Sequence, residues 1–208
     1  SYSIDGTKIK PKYVVSTATI KNADNQIEKL YARKEMSQFP PQGLTQKDSF
    51  FAKEIALEDK PFRKYLGIAA FGQSMKTAIV RLYALLLQTT EKYEDPQVID
   101  PYKTLIGYYN SIRELGGAVM LLKDDIPARI NRLKRLTESE KGRFLKTSEL
   151  TSRIPSYKIP EVLAQLENPW GSESKNFLDV AVATNMISVG MDVDRLGLMV
   201  VTGQPKTT

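Results

Sequence analysis

The 208-residue sequence predicts an α/β fold, a parallel sheet with helices on both faces. Three observations carry that expectation. From Tyr65 onward, short apolar runs alternate with stretches of helical period. The runs FLDVAVAT (177–184) and LGLMVV (196–201) are almost continuously apolar, as strands buried on both faces require. Polar and glycine-containing breaks separate the runs where crossovers must begin and end.

The elements follow in order. KYVVSTATI (12–20) is rich in β-branched and aromatic residues and reads as a short buried strand, and NADNQIEKLYAR (22–33) as a helix with Asn22 or Asp24 as its cap. Between 33 and 64 no period persists, and FPPQG (39–43) supplies two prolines and a glycine, so this segment reads as an inter-domain connector. YLGIAAF (65–71) is the next expected strand. After Gly72 and Ser74, Met75, Ile79, Leu82 and Leu86 recur at helical spacing, with Ala78 and Leu85 widening the stripe. TLIGYYN (104–110) reads as a strand, and Ile112, Leu115, Val119 and Leu122 mark a helix that Pro127 should interrupt, restarting near Ala128. RFLKTSEL (143–150) is a weaker strand, IPEVLAQLE (159–167) a short helix with Pro160 in its first turn, and the two apolar runs complete the sheet.

Composition narrows the chemistry. With no cysteine and no histidine, disulfides, zinc sites and histidine general bases are excluded. No run is apolar enough for a membrane helix and the opening SYSIDGTKIK lacks a signal-peptide core, which leads us to expect a cytoplasmic chain. The formal charge of +6 favours a polyanionic partner. Basic residues gather at Arg129, Arg132, Lys134, Arg135, Lys141, Arg143 and Lys146, although a solvated helix face with its loop explains them equally well.

GQSMKT (72–77) has the position and the Lys-Thr pair of a phosphate-binding P-loop, but Met75 stands where that loop needs a glycine, and no glycine lies four residues before it. A side chain there would crowd the amides that wrap a phosphate. We read the segment as a capped helix start. Trp170, in ENPWG, reads as a residue that fastens a loop, and Tyr108 and Tyr109 as packing residues, since at most one of an alternating pair is available to stack on a base.

The polar file Thr184, Asn185, Ser188, Gly190 and Asp192 is more than turn chemistry needs between two buried strands. With Thr17-Ala18-Thr19 upstream and TLIGYYNSIRELG (104–116) between them, it resembles the ordered motifs III, IV and V of superfamily 2 helicases. PKYVVSTATI, FPPQGL, GQSMKT, NSIRELGGA, ELTSRI and the run from Asn185 to the end are similar to the helicase subunits of the DISARM bacterial defence system.

The resemblance implies a RecA-like second motor domain at 65–208, truncated before motif VI, preceded by the tail of a first RecA-like domain at 1–32 and a connector at 33–64. It implies an ATP-dependent DNA helicase or translocase using ATP and Mg2+ in the longer protein, nucleic acid (DNA) held through its sugar-phosphate backbone, and defence-system partner subunits. Thr17, Ala18 and Thr19 would couple the nucleotide and nucleic-acid sides. Thr184, Asn185, Ser188 and Gly190, with Asn110, Ser111, Arg113, Ser152 and Arg153, would grip the strand, and Asp192 would face the nucleotide. Walker A, Walker B and motif VI are absent from the sequence, so this chain alone is expected to be unable to hydrolyse ATP and to bind neither ATP nor metal. Plainer readings stand beside these roles: Asp192 as a turn cap, Thr17 and Thr19 as strand-end hydroxyls, Arg113 as an exposed helix residue. Two other functions also remain open, a non-enzymatic basic module binding nucleic acid or protein, and a doubly wound enzyme acting on a phosphorylated small molecule.

Overall fold

A parallel strand cannot reach its neighbour through a tight turn, so the connections set the architecture. The computed structural model describes residues 2–4, 7–9, 11–16, 22–39, 41, 45, 53–55, 63–136, 143–171, 176–184 and 193–204. They fall into two compact units, Ser1–Ile68 and Ala69–Thr208.

In the first unit, β1 (Tyr2–Ile4) and β2 (Thr7–Ile9) pair antiparallel with Ile4 opposite Thr7. The Asp5-Gly6 dipeptide between them is a two-residue hairpin signature that our sequence reading passed over. Helix α1 (Ala23–Tyr31) forms as expected, but neither candidate caps it. Asn22 takes the N-cap position in a left-handed conformation, φ 77°, without a side-chain cap bond, and Asp24 lies inside the first turn. The expected strand at 12–20 is absent over residues 11–16, where Val14 is 88% exposed. No described strand pairs with it, and β propensity without a neighbour leaves backbone groups to water. Tyr13 instead packs its ring 4.9 Å from Tyr31, with the Arg33 guanidinium over its face.

The second unit holds α2 (Met75–Thr89), α3 (Pro96–Lys103), β3 (Leu105–Tyr109), α4 (Ile112–Lys123), α5 (Asp125–Leu136), β4 (Thr147–Leu150), α6 (Ile159–Glu167), β5 (Val180–Ala183) and β6 (Leu198–Thr202). The sheet is wholly parallel, in the order β4-β5-β3-β6. This is the predicted α/β class, and it is consistent with a RecA-like domain. On one face, Leu105, Tyr109, Val180 and Val182 pack with α2, α4 and α5; on the other, Ile106, Ala181, Ala183 and Leu150 pack with α6. Alternate residues of each strand therefore serve different cores, which explains their continuous apolarity. Among the described residues no helix is long and apolar enough to cross a membrane.

Several boundaries move. YLGIAAF forms no strand: residues 65–70 are irregular and Tyr65, Leu66, Ile68 and Phe71 are exposed. The buried stripe of α2 is Ile79, Tyr83, Ala84 and Leu87, while Met75 and Leu85 face solvent. Tyr83 rotates the helix inward because its hydroxyl finds a partner, Tyr109, at 2.9 Å inside the core. The α4–α5 break falls at Asp124, three residues before Pro127, so the proline sits in the first turn of α5, where its missing amide costs nothing. Helix α3, with prolines at its first position and in its interior, carried no periodic signal.

Gly107, in the middle of β3, is the tightest point of this packing. A Cβ built there would lie 2.2 Å from the Tyr83 hydroxyl oxygen and 3.1 Å from Val182 Cγ1. Tyr83 is fully buried, so its ring has nowhere to swing. We expect Gly107→Ala to lower unfolding free energy by about 1–3 kcal/mol in a urea titration. The same substitution in a Tyr83→Phe background should cost less than in wild type, because the colliding oxygen is gone. Equal costs in the two backgrounds would contradict this packing.

Candidate functional site

Ligands of doubly wound sheets bind beyond the carboxyl ends of the strands, at the point where neighbouring connections leave in opposite directions. Here that point lies between β3 and β5. After β3 the chain turns into α4 on the first face, whereas after β5 it runs to β6 past Val193 and Leu196, which pack on the second.

Those of the predicted site residues that the structure describes collect at this edge. Thr184 is the first residue after β5 and is half-buried. Asn110 and Ser111 follow β3, directly beside it in the sheet. Ser111 caps α4, its Oγ accepting the Glu114 amide at 3.2 Å, which completes the Ser-x-x-Glu start of a helix and leaves the hydroxyl proton to donate. Arg113, two residues on, is exposed. Beyond β4, a turn closed by Ile154 N–H to the Thr151 carbonyl, 3.1 Å, displays Ser152 and Arg153 to solvent while Thr151 is buried beneath. At the usual strand spacing the four strand ends span roughly 14 Å.

Asn110 also has a structural task. Its amide nitrogen donates to the carbonyls of Thr202 and Gln204, at 3.4 and 2.9 Å, fastening the exit of β6. Gly203, at φ 77°, makes the turn in which this contact forms. Asn110 Oδ1 is buried without a protein partner among the described residues, leaving one acceptor at the edge. Thr17, Ala18, Thr19, Asn185, Ser188, Gly190 and Asp192 lie outside the described residues.

The P-loop look-alike resolves as a capped helix. Ser74 accepts the Thr77 amide at 3.2 Å and shares a hydrogen bond with its hydroxyl, and Gly72 takes φ 69°.

The opposite, amino edge of the sheet is closed by two arginines. Arg195 grips Asp100 through Nε and Nη2 at 3.0 and 2.8 Å and also donates to Thr104 and to the Leu166 carbonyl. Arg143 pairs with Asp179 at 2.7 Å and donates to Thr90 and to the carbonyls of Leu87 and Lys103. Lys103, 2% exposed, reaches Glu91 at 2.8 Å and lies 4.4 Å from the centre of the Trp170 ring. The Trp170 amide donates to Asp100, so the tryptophan fastens a loop. Arg143 and Lys146, grouped in sequence with the α5 cations, are therefore partners of Asp179 and Asn176. Burial pulls the Lys103 ammonium below its ordinary value even with Glu91 beside it. For Asp100, burial opposes ionisation, but the hydrogen bonds from Arg195 and the Trp170 amide outweigh it and hold the carboxyl below its usual range.

A curated protein from Bacillus paralicheniformis, described as "DISARM protein DrmA", is 59% identical to this sequence over 96% of the chain. The chain is similar to DISARM protein DrmA over most of its own length. It spans 18% of that relative's length. No family model matches the sequence.

The amino-edge clamp sets a pH dependence. A carboxyl whose folded pKa lies below its unfolded value, near 4, contributes stability in full above about pH 4 and loses it as pH falls through the folded value. Asp100→Asn should cost about 3 kcal/mol at pH 7, because Arg195 is left buried without its counter-charge. The gap to wild type should narrow below pH 4. A gap that is constant from pH 7 to pH 3 in urea titrations would show that the carboxylate charge contributes nothing.

Proposed function

We propose that this chain is part of an ATP-dependent superfamily 2 DNA helicase or translocase acting in bacterial anti-phage defence, and that the carboxyl edge of its sheet forms part of the nucleic-acid track. The observation that supports this most directly is the convergence on one sheet edge, around the switch point, of Thr184, Ser111 with Arg113, and Ser152 with Arg153. These come from three separate segments of sequence. Hydroxyls, helix-start amides and guanidinium groups in a row suit phosphates and do not read bases, which is what a motor passing along arbitrary sequence needs. The relation to DISARM protein DrmA supports the defence role.

In this reading Thr184 and Ser111 would donate to successive phosphates, and Arg113 and Arg153 would supply charge at the rim. Asn185, Ser188 and Gly190 would continue the track beyond Thr184, Asp192 would face the nucleotide, and Thr17, Ala18 and Thr19 would couple the two sites. ATP and Mg2+ belong to the longer protein, with its partner subunits. Among the described residues no group of three or more acidic side chains is arranged to hold a metal ion.

The reading predicts that a labelled single-stranded oligonucleotide binds this chain and that affinity falls as salt rises. Arg113→Ala should weaken binding several-fold whatever the base sequence and make the log–log salt slope shallower by roughly 0.7. Thr184→Ala should weaken binding without changing the slope, since it removes a donor and no charge. ATP turnover by the isolated chain should not exceed buffer, with or without the strand. Absence of binding at low salt, or strand-stimulated ATP turnover, would contradict the account.

A further inference from the structure

We infer that Tyr157, flanked by Arg153 and Lys158, is a base-stacking station that favours single-stranded over duplex nucleic acid, a contact that rests on the nucleic-acid reading above and extends it. Tyr157 is 76% exposed, yet it does not lie in a loose segment. Ser156–Lys158 form a 3-10 turn closed by the Lys158 amide on the Pro155 carbonyl at 2.9 Å, and the chain runs straight on into α6. Pro155 precedes the turn and Pro160 follows it, while Val162 and Leu166 anchor the helix in the second core. Ile154 and Ile159, on either side, are partly buried. The ring is thus presented on a fixed platform, so little ordering cost remains when a ligand covers it.

Its place and charge identify the ligand. The turn follows β4 at the carboxyl edge, on the outermost strand next to β5, whose end carries Thr184. Between Thr151 and Pro160 there are two cations, Arg153 and Lys158, both exposed, and no acidic residue. Phe144, another exposed aromatic of this unit, sits on irregular backbone before β4, at the amino edge. An exposed ring between two cations, in line with a row of phosphate-binding groups, matches a strand whose backbone is held along the edge and whose base turns onto the ring. Every base offers a π-face, so the contact tolerates any sequence. A duplex has its base faces already stacked and gains nothing from the ring.

The test measures anisotropy of wild type, Tyr157→Ala and Tyr157→Phe with a labelled single strand, a matched duplex and an abasic single strand. Tyr157→Ala should bind the single strand about tenfold more weakly. Tyr157→Phe should stay within about twofold of wild type, because the ring persists. Neither variant should change binding to the duplex or the abasic strand. If Tyr157→Ala binds the single strand like wild type while Arg113→Ala still weakens it, stacking is overturned, the phosphate track stands, and the ring serves another contact. A Phe variant as weak as Ala also overturns stacking, since the hydroxyl would then carry the effect. Failure of wild type to bind any strand at low salt overturns both this inference and the reading beneath it.

Discussion

The central strand of the sheet has a hole in its side-chain row, and the larger unit is arranged around it. Gly107 leaves the space into which Tyr83 drives from α2, and Tyr83 in turn meets the Tyr109 hydroxyl two residues along the same strand. Burial holds both phenols in their neutral form, above the usual range for tyrosine, so each hydroxyl remains available to the other. A residue with a Cβ would push α2 from the sheet, and with it α5, which packs along its length. Because β3 pairs with both β5 and β6, whatever fixes its position also fixes the relative height of the ends that carry Asn110, Thr184 and Gly203.

The two edges of that sheet divide the polar residues by task. At the amino edge, guanidinium groups are buried, multiply bonded and matched to carboxylates. Breaking such a pair is costly, and the pairs tie the starts of β3, β4, β5 and β6 to loops far away in sequence. At the carboxyl edge, arginines of the same chemistry stand exposed at Arg113 and Arg153, beside the hydroxyl residues Ser111, Ser152 and Thr184. The position of an arginine on the sheet therefore decides whether it stabilises the fold or is available to a ligand.

Much of this was legible in the sequence where the signal is local. LGLMVV, FLDVAVAT and IPEVLAQLE yielded their elements because periodicity and composition agree within a few residues. The convergence of Ser111, Arg113, Ser152, Arg153 and Thr184 followed once the strands were read as parallel, since each lies just past a strand end. What failed was non-local. YLGIAAF has every propensity of a strand, but pairing depends on a neighbour that composition does not supply. Arg143 looked like one more cation in a basic run because Asp179 lies 36 residues away, and the carbonyls that Asn110 holds, more than 90 residues distant, left no local trace. The hairpin at the start carried its Asp-Gly signal in plain view.

Backbone amide hydrogen exchange, compared with and without a saturating single-stranded oligonucleotide, tests the division of the sheet most directly. The account predicts slowed exchange at residues 110–114, 151–158 and 184, with no change at residues 100–104, 143–146 and 195. Protection confined to the amino edge, or spread evenly over both edges, would contradict it.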